Sequence, residues 1–197
     1  MQANAKIDCR FPSIIMEKRM RLDKARIAPL LPSELDATAL DALITVTNKA
    51  GKTLNIFATF AHRPAALKAF LSWGNYILQE TELTGREREI IILRTGHRCK
   101  SGYEFHQHTR IGLRSGLSVV DIDALQDDVE KGQWSEQEVL LIKAADELFE
   151  DCFLSTETWN ALATHYKQEQ IMDIVFVIGQ YTQVCMLLNS FGVQIEK

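Results

Sequence analysis

Proline and glycine are scarce, at 4 and 10 of 197 residues, so little of the chain is turn and the balance leans toward helix. Strict apolar–polar alternation over a useful length is also missing, which argues against amphipathic strands. The four cysteines are Cys9, Cys99, Cys152 and Cys185; no two form a Cys-x-x-Cys pair, and their spacings suggest no zinc site. Lys plus Arg number 22 against 26 Asp plus Glu, a formal charge of -4. That lacks the concentrated basic face that nucleic-acid binding requires. The longest uninterrupted apolar run, Ile174 to Ile178, stops at Gly179 and Gln180, well short of the roughly 18 residues of a membrane span. The opening residues lack the continuous apolar core of a secretory signal. No dinucleotide-binding or P-loop signature is present. These absences predict a cytoplasmic protein with reduced thiols, no cofactor, no bound metal, and neither nucleic acid nor membrane as a partner.

What is present is ordinary globular composition, 46% hydrophobic and 24% charged. The length fits one domain with an extra arm. Residues 1–32 mix basic residues with Met16, Met20, Pro29 and Pro32, and residues 1–31 read as an extended arm before a domain over 32–197. Helix starts recur. A Ser or Thr with an acid three places on lets each side chain satisfy a free backbone N–H. Such pairs occur at Ser33–Asp36, Thr84–Glu87, Ser101–Glu104, Ser118–Asp121 and Ser135–Glu138. Pro64 suits a first helical turn, and Ser155 or Thr156 opens another. The pattern predicts helices at about 34–48, 64–79, 85–97, 102–115, 119–126, 136–150, 156–165 and 168–190, with Gly116 left-handed after the fourth and a short turn near 54–60. The fold class is all-α, a compact helical bundle. Two helices, 85–97 and 168–190, are apolar on most sides and call for burial or a subunit contact, so a homo-oligomer is expected.

The chemistry-bearing residues gather in REREIIILRTGHRCKSGYEFHQHTRIG, residues 86–112. Glu104 and His108 are four apart and share a helical face. A carboxylate beside an imidazole is a proton-transfer pair, the acid fixing the tautomer and raising basicity. Glu89 lies in an otherwise apolar helix, where burial raises a carboxyl pKa toward general-acid use. Ser101 and Gly102 stand at a helix N-terminus, whose free N–H groups suit a substrate carboxylate or oxyanion. Tyr103 is a further candidate. The plainer readings are that Glu104 only completes a capping box, that Glu89 pairs with Arg86 or another basic residue, that Tyr103 is core and that His106 is solvated. Cys99 is read either as a nucleophile or as an inert thiol.

From Pro32 onward, four stretches carry a likeness to a known family: FATFAHRPAALKAFLSWG, LTGREREIIILRTGHRCKSGYEFHQHTRIG, LLIKAADELFED and a last helix ending LLNSFGV. The chain resembles the carboxymuconolactone decarboxylase family, which includes the alkylhydroperoxidase D proteins. In the alkylhydroperoxidase branch a Glu is followed by Cys-x-x-Cys and then a His four residues on. Glu89 and His108 match the Glu and the His. Ser101 and Glu104 fall where the two cysteines would be, and Cys99 lies two positions early with no partner at motif distance. The resemblance implies an oligomeric alkylhydroperoxidase D-like bundle and three functional readings. The first is a cofactor-independent acid/base enzyme, a decarboxylase or related lyase, acting on a small carboxylated lactone or cyclic acid. The second is a peroxidase-type antioxidant protein that has lost the Cys-x-x-Cys pair and uses Cys99. The third is a helical oligomer without catalysis.

Overall fold

Side-chain caps set most of the helix starts. The computed structural model describes residues 20–196. Among the described residues, a 3-10 turn at Pro32–Glu34 precedes nine α-helices: α1 Ala37–Leu43, α2 Asn55–Phe60, α3 Pro64–Asn75, α4 Gly85–Arg98, α5 Gly102–Arg114, α6 Val119–Ala124, α7 Glu136–Asp151, α8 Thr156–Ala163 and α9 Gln168–Phe191, with a second 3-10 turn at Val129–Lys131. Reciprocal capping boxes form at Thr84–Glu87, Ser118–Asp121 and Ser135–Glu138, and Ser155 caps α8. There is no strand among the described residues; Thr47 and Thr53 make one isolated bridge. The all-α expectation therefore holds.

Three local expectations are corrected. Ser33 does not cap α1; Asp36 does, accepting the Ala39 N–H at 2.7 Å. The 34–48 helix is shorter because Asn48 accepts the N–H groups of Ala50 and Lys52 and turns the chain back. The 64–79 helix is likewise divided, with α3 passing into a π-helical turn at Tyr76–Glu80.

The core is built around α4, whose residues from Glu89 to Gly96 are all buried. It packs against α5, α7 and α9. Arg94 clamps this centre with two bonds to Asp146 of α7, at 2.7 and 2.8 Å, and two to the carbonyls of Leu125 and Gln126. Of the two apolar helices, α4 is the buried one, whereas α9 leaves Met172 and Met186 exposed. By length and composition α9, at 24 residues, is long and apolar enough to cross a membrane. The short apolar runs of the sequence did not show this, because polar residues such as Asp173, Gln180 and Gln183 interrupt them. Its buried face here completes the core.

Residues 20–31 pack on the domain. Arg26 and Ile27 both donate to the Phe191 carbonyl, at 2.8 and 3.1 Å. They cross Gly192 (φ 67°) so closely that a Cβ there would lie 2.9 Å from the Lys24 carbonyl oxygen. Residues 1–19 of the expected arm, with Cys9, lie outside the described residues.

Candidate active site

The α4 and α5 helices approach each other at Gly112. A Cβ there would come within 3.0 Å of Leu117 and 3.1 Å of Leu93. That close contact brings the Glu89 side chain of α4 to His108 of α5. Glu89 Oε2 lies 2.7 Å from His108 Nδ1, and Glu104 Oε1 lies 3.0 Å from Nε2. The ring is thus held at both nitrogens by carboxylates from two helices. Glu89 is fully buried, and the Glu104 and His108 side chains are 5% and 9% exposed. Tyr181 of α9 packs edge-on against the imidazole, with centroids 5.0 Å apart.

Burial opposes a charged ring here, but the two carboxylates outweigh it and raise the His108 pKa to about 10. Near neutrality His108 is therefore an imidazolium, donating Nδ1–H to Glu89 and Nε2–H to Glu104. Glu89 has a further buried oxygen, Oε1, with Arg88 Nε 4.0 Å away. Arg86 does not pair with Glu89; it binds Glu138 at 2.6 Å. Glu104 makes no capping box, since Ser101 starts α5 without a side-chain cap. The free carboxylate turns to His108 instead.

Glu104 and His108 line a cavity of about 780 Å³ that also takes in Tyr103, Gln107, Gln180 and Tyr181. Aliphatic and aromatic side chains of α2, α3 and the π-helical turn form much of the remaining wall, including Ile56, Phe57, Leu71 and Ile77. Apolar walls with a few converging polar groups describe a small-molecule site. Glu196, near the chain end, fixes one side: it accepts from Tyr103 Oη at 2.7 Å, Gln107 Nε2 at 2.6 Å and the Asn55 N–H at 2.7 Å. Burial and this carboxylate push the Tyr103 phenol well above its ordinary pKa.

Of the residues singled out from the sequence, Glu89, Glu104, His108 and Tyr103 come together. Ser101 and Gly102 do not: they line a separate cavity of about 420 Å³ with Met20, Arg21 and His97. Neither Ser101 nor Gly102 lines the cavity that Glu104 and His108 share, so their placement does not support the oxyanion role expected of them there. His106 is half-buried rather than solvated, and burial lowers its pKa. Cys99 has a thiol neighbour after all, Cys185 of α9. The cavity wall from α9 was missed. Its only sequence signal was the break of the apolar run at Gly179–Gln180.

Residues 64–147 match the model of the Carboxymuconolactone decarboxylase family. That segment contains Glu89, Glu104 and His108, so the resemblance drawn from the sequence stands, with the whole carboxylate–imidazole constellation inside it. Solved structures named for alkylhydroperoxidase AhpD share the overall fold. An uncharacterized peroxidase-related protein from Ralstonia eutropha JMP134, with an alkylhydroperoxidase AhpD core, is similar at a TM-score of 0.75 and 21% identity, over 87% of this chain and 93% of that one. An uncharacterized peroxidase-related protein from Silicibacter sp. TM1040 is similar at 0.74 and 16% identity, over 91% and 93%. A variant of the debrominase Bmp8, in complex with 2,3,4-tribromopyrrole, is similar at 0.70 and 16% identity, over 88% and 93%. Comparison with curated proteins yields no match.

Proposed function

We propose that the chain is a cofactor-independent acid/base enzyme, a decarboxylase or related lyase, acting on a small carboxylated lactone or cyclic acid. The observation that carries this reading is His108, held protonated between Glu89 and Glu104 on the wall of a largely apolar cavity. Decarboxylation breaks the bond to the carboxyl carbon. The electron pair stays on the ring as an enolate and CO2 leaves. The enolate carbon then takes a proton. An ester enolate carbon is far more basic than an imidazole of pKa about 10, so transfer from His108 Nε2, directly or through Glu104, runs downhill. Glu89 holds the far nitrogen and keeps the ring in place. Gln180 and Tyr181 supply donors on the α9 wall for the developing oxyanion.

The match to the Carboxymuconolactone decarboxylase family model supports the substrate class. Apolar side chains left exposed on several helices, among them Leu40, Val120, Phe149 and Met186, support a homo-oligomer. The test is CO2 release from carboxymuconolactone and a panel of related carboxylated lactones, followed by product analysis. Enzyme-dependent CO2 with a decarboxylated lactone as product agrees with the reading. Absence of turnover across the panel rejects it.

A further inference from the structure

Cys99 follows the last residue of α4, Cys185 lies in α9, and the two thiols are neighbours. The surrounding backbone is fixed as well. Asn189, one turn beyond Cys185, donates Nδ2–H to the Cys99 carbonyl at 2.9 Å. Lys100, the next residue after Cys99, takes a left-handed φ of 52°, an uncommon state for a non-glycine residue that surrounding structure must hold in place. The turn between α4 and α5 is therefore tied to α9 at the Cys99 carbonyl, one helical turn from Cys185.

The two thiols differ. Cys99 is partly exposed and Cys185 is fully buried. The neighbouring Cys185 thiol, aided by Thr182, Arg21 and Arg98 and opposed by burial, lowers the Cys99 pKa. The Cys99 side chain, with burial and the nearby Glu104 carboxylate, in turn raises that of Cys185. A reachable thiolate backed by a buried, protonated thiol is the asymmetry that thiol–disulfide exchange uses.

We propose that Cys99 and Cys185 form a reversible disulfide that bolts α9 to the α4–α5 turn, with a low-molecular-weight disulfide as the oxidant. The Cys99 thiolate attacks one sulfur of the oxidant. That S–S bond breaks, one small thiolate leaves, and a mixed disulfide forms on Cys99. Cys185 then attacks the Cys99 sulfur and the mixed S–S bond breaks, the Cys185 proton passing to the second small thiolate as it leaves as a thiol. The protein loses two electrons and two protons, and the oxidant becomes two thiols. A small dithiol reverses the sequence.

The bond would act beside the acid/base site. Tyr181, one turn before Cys185, is the residue packed on His108 at 5.0 Å. Val184 lines the large cavity, and Ser101 starts the helix that carries Glu104 and His108. The crosslink thus fixes the spacing of two cavity walls, whichever reaction the site performs.

The experiment uses the full chain with excess oxidised glutathione, followed by thiol counting, intact mass and peptide mapping. Two of the four thiols should disappear, the mass should fall by two hydrogens, and a Cys99–Cys185 linked peptide should appear. Cys152→Ser should behave the same way. Cys185→Ala should stop at a glutathione adduct on Cys99, while Cys99→Ala should leave Cys185 unmodified. Rapid alkylation of the wild-type protein during oxidation gives the same order without a variant, the Cys99 adduct preceding the disulfide. Four free thiols after prolonged oxidation, a linkage through other cysteines, or an adduct first on Cys185 would each overturn the proposal.

Discussion

His108 donates from both ring nitrogens, to Glu89 of α4 at 2.7 Å and to Glu104 of its own helix at 3.0 Å. The first contact crosses the tightest helix approach near the site, and the second is a single-turn neighbour. Their combined effect is a pKa raised from 6.5 to about 10. The folded value lies above the unfolded one, so this group's stabilisation is fully present below about pH 6.5 and is lost as pH rises through about 10. Nitrogen NMR should show the His108 ring doubly protonated from pH 6 to 9, with stability falling on the alkaline side. A ring that titrates near 6.5 would contradict this.

Glu89→Gln keeps the shape and removes one of the two charges. A single carboxylate beside a histidine is worth roughly one to three pKa units. The His108 titration should therefore move down toward neutrality by about that amount, read in the same NMR experiment. An unmoved titration would mean that Glu89 contributes no field at the ring.

The clamp at Arg94 makes a separate prediction about stability. Arg94→Met removes the buried partner of Asp146 and leaves the Leu125 and Gln126 carbonyls without their donor. Breaking such a pair costs about 3 kcal/mol, a fall in Tm of roughly 10 °C for a chain of this size. Differential scanning calorimetry reads it directly. A loss under about 1 kcal/mol would show that the Arg94 clamp adds little to the hold between α4 and α7.

Much of this was legible in the sequence, and the parts that were not share a cause. Capping pairs mark helix starts because both partners lie within one turn; Thr84–Glu87, Ser118–Asp121 and Ser135–Glu138 could be read without knowing the fold. The same locality made Glu104–His108 visible. Glu104 was nonetheless ambiguous, because the same spacing from Ser101 also fits a cap, and only the position of His108 between two acids decides the outcome. Ser101 and Gly102 were placed correctly at a helix start but assigned to the wrong cavity, since the side a helix end faces is set by tertiary packing. Cys185 was invisible as a partner of Cys99 for a similar reason: it lies in a long apolar helix whose register against α4 no local pattern encodes. Gln180 and Tyr181 showed only as a polar break in that helix.

Assembly is tested by mass. The exposed apolar side chains on α1, α6, α7 and α9 predict an oligomer, so light scattering coupled to size-exclusion chromatography should give at least twice 22.4 kDa. A monomer at micromolar concentration would count against it, and would require those side chains to face solvent.

The central claim is that the Glu89–His108–Glu104 relay moves a proton to substrate carbon. The most direct measurement is steady-state CO2 release from the carboxylated lactone turned over fastest, for the wild-type protein, His108→Asn and Glu104→Gln, with the fold of each checked by circular dichroism. A positioned general acid is worth about 10²–10⁴ in rate, so both variants should lose activity on that scale while retaining helical content. Wild-type turnover in either folded variant would contradict the account.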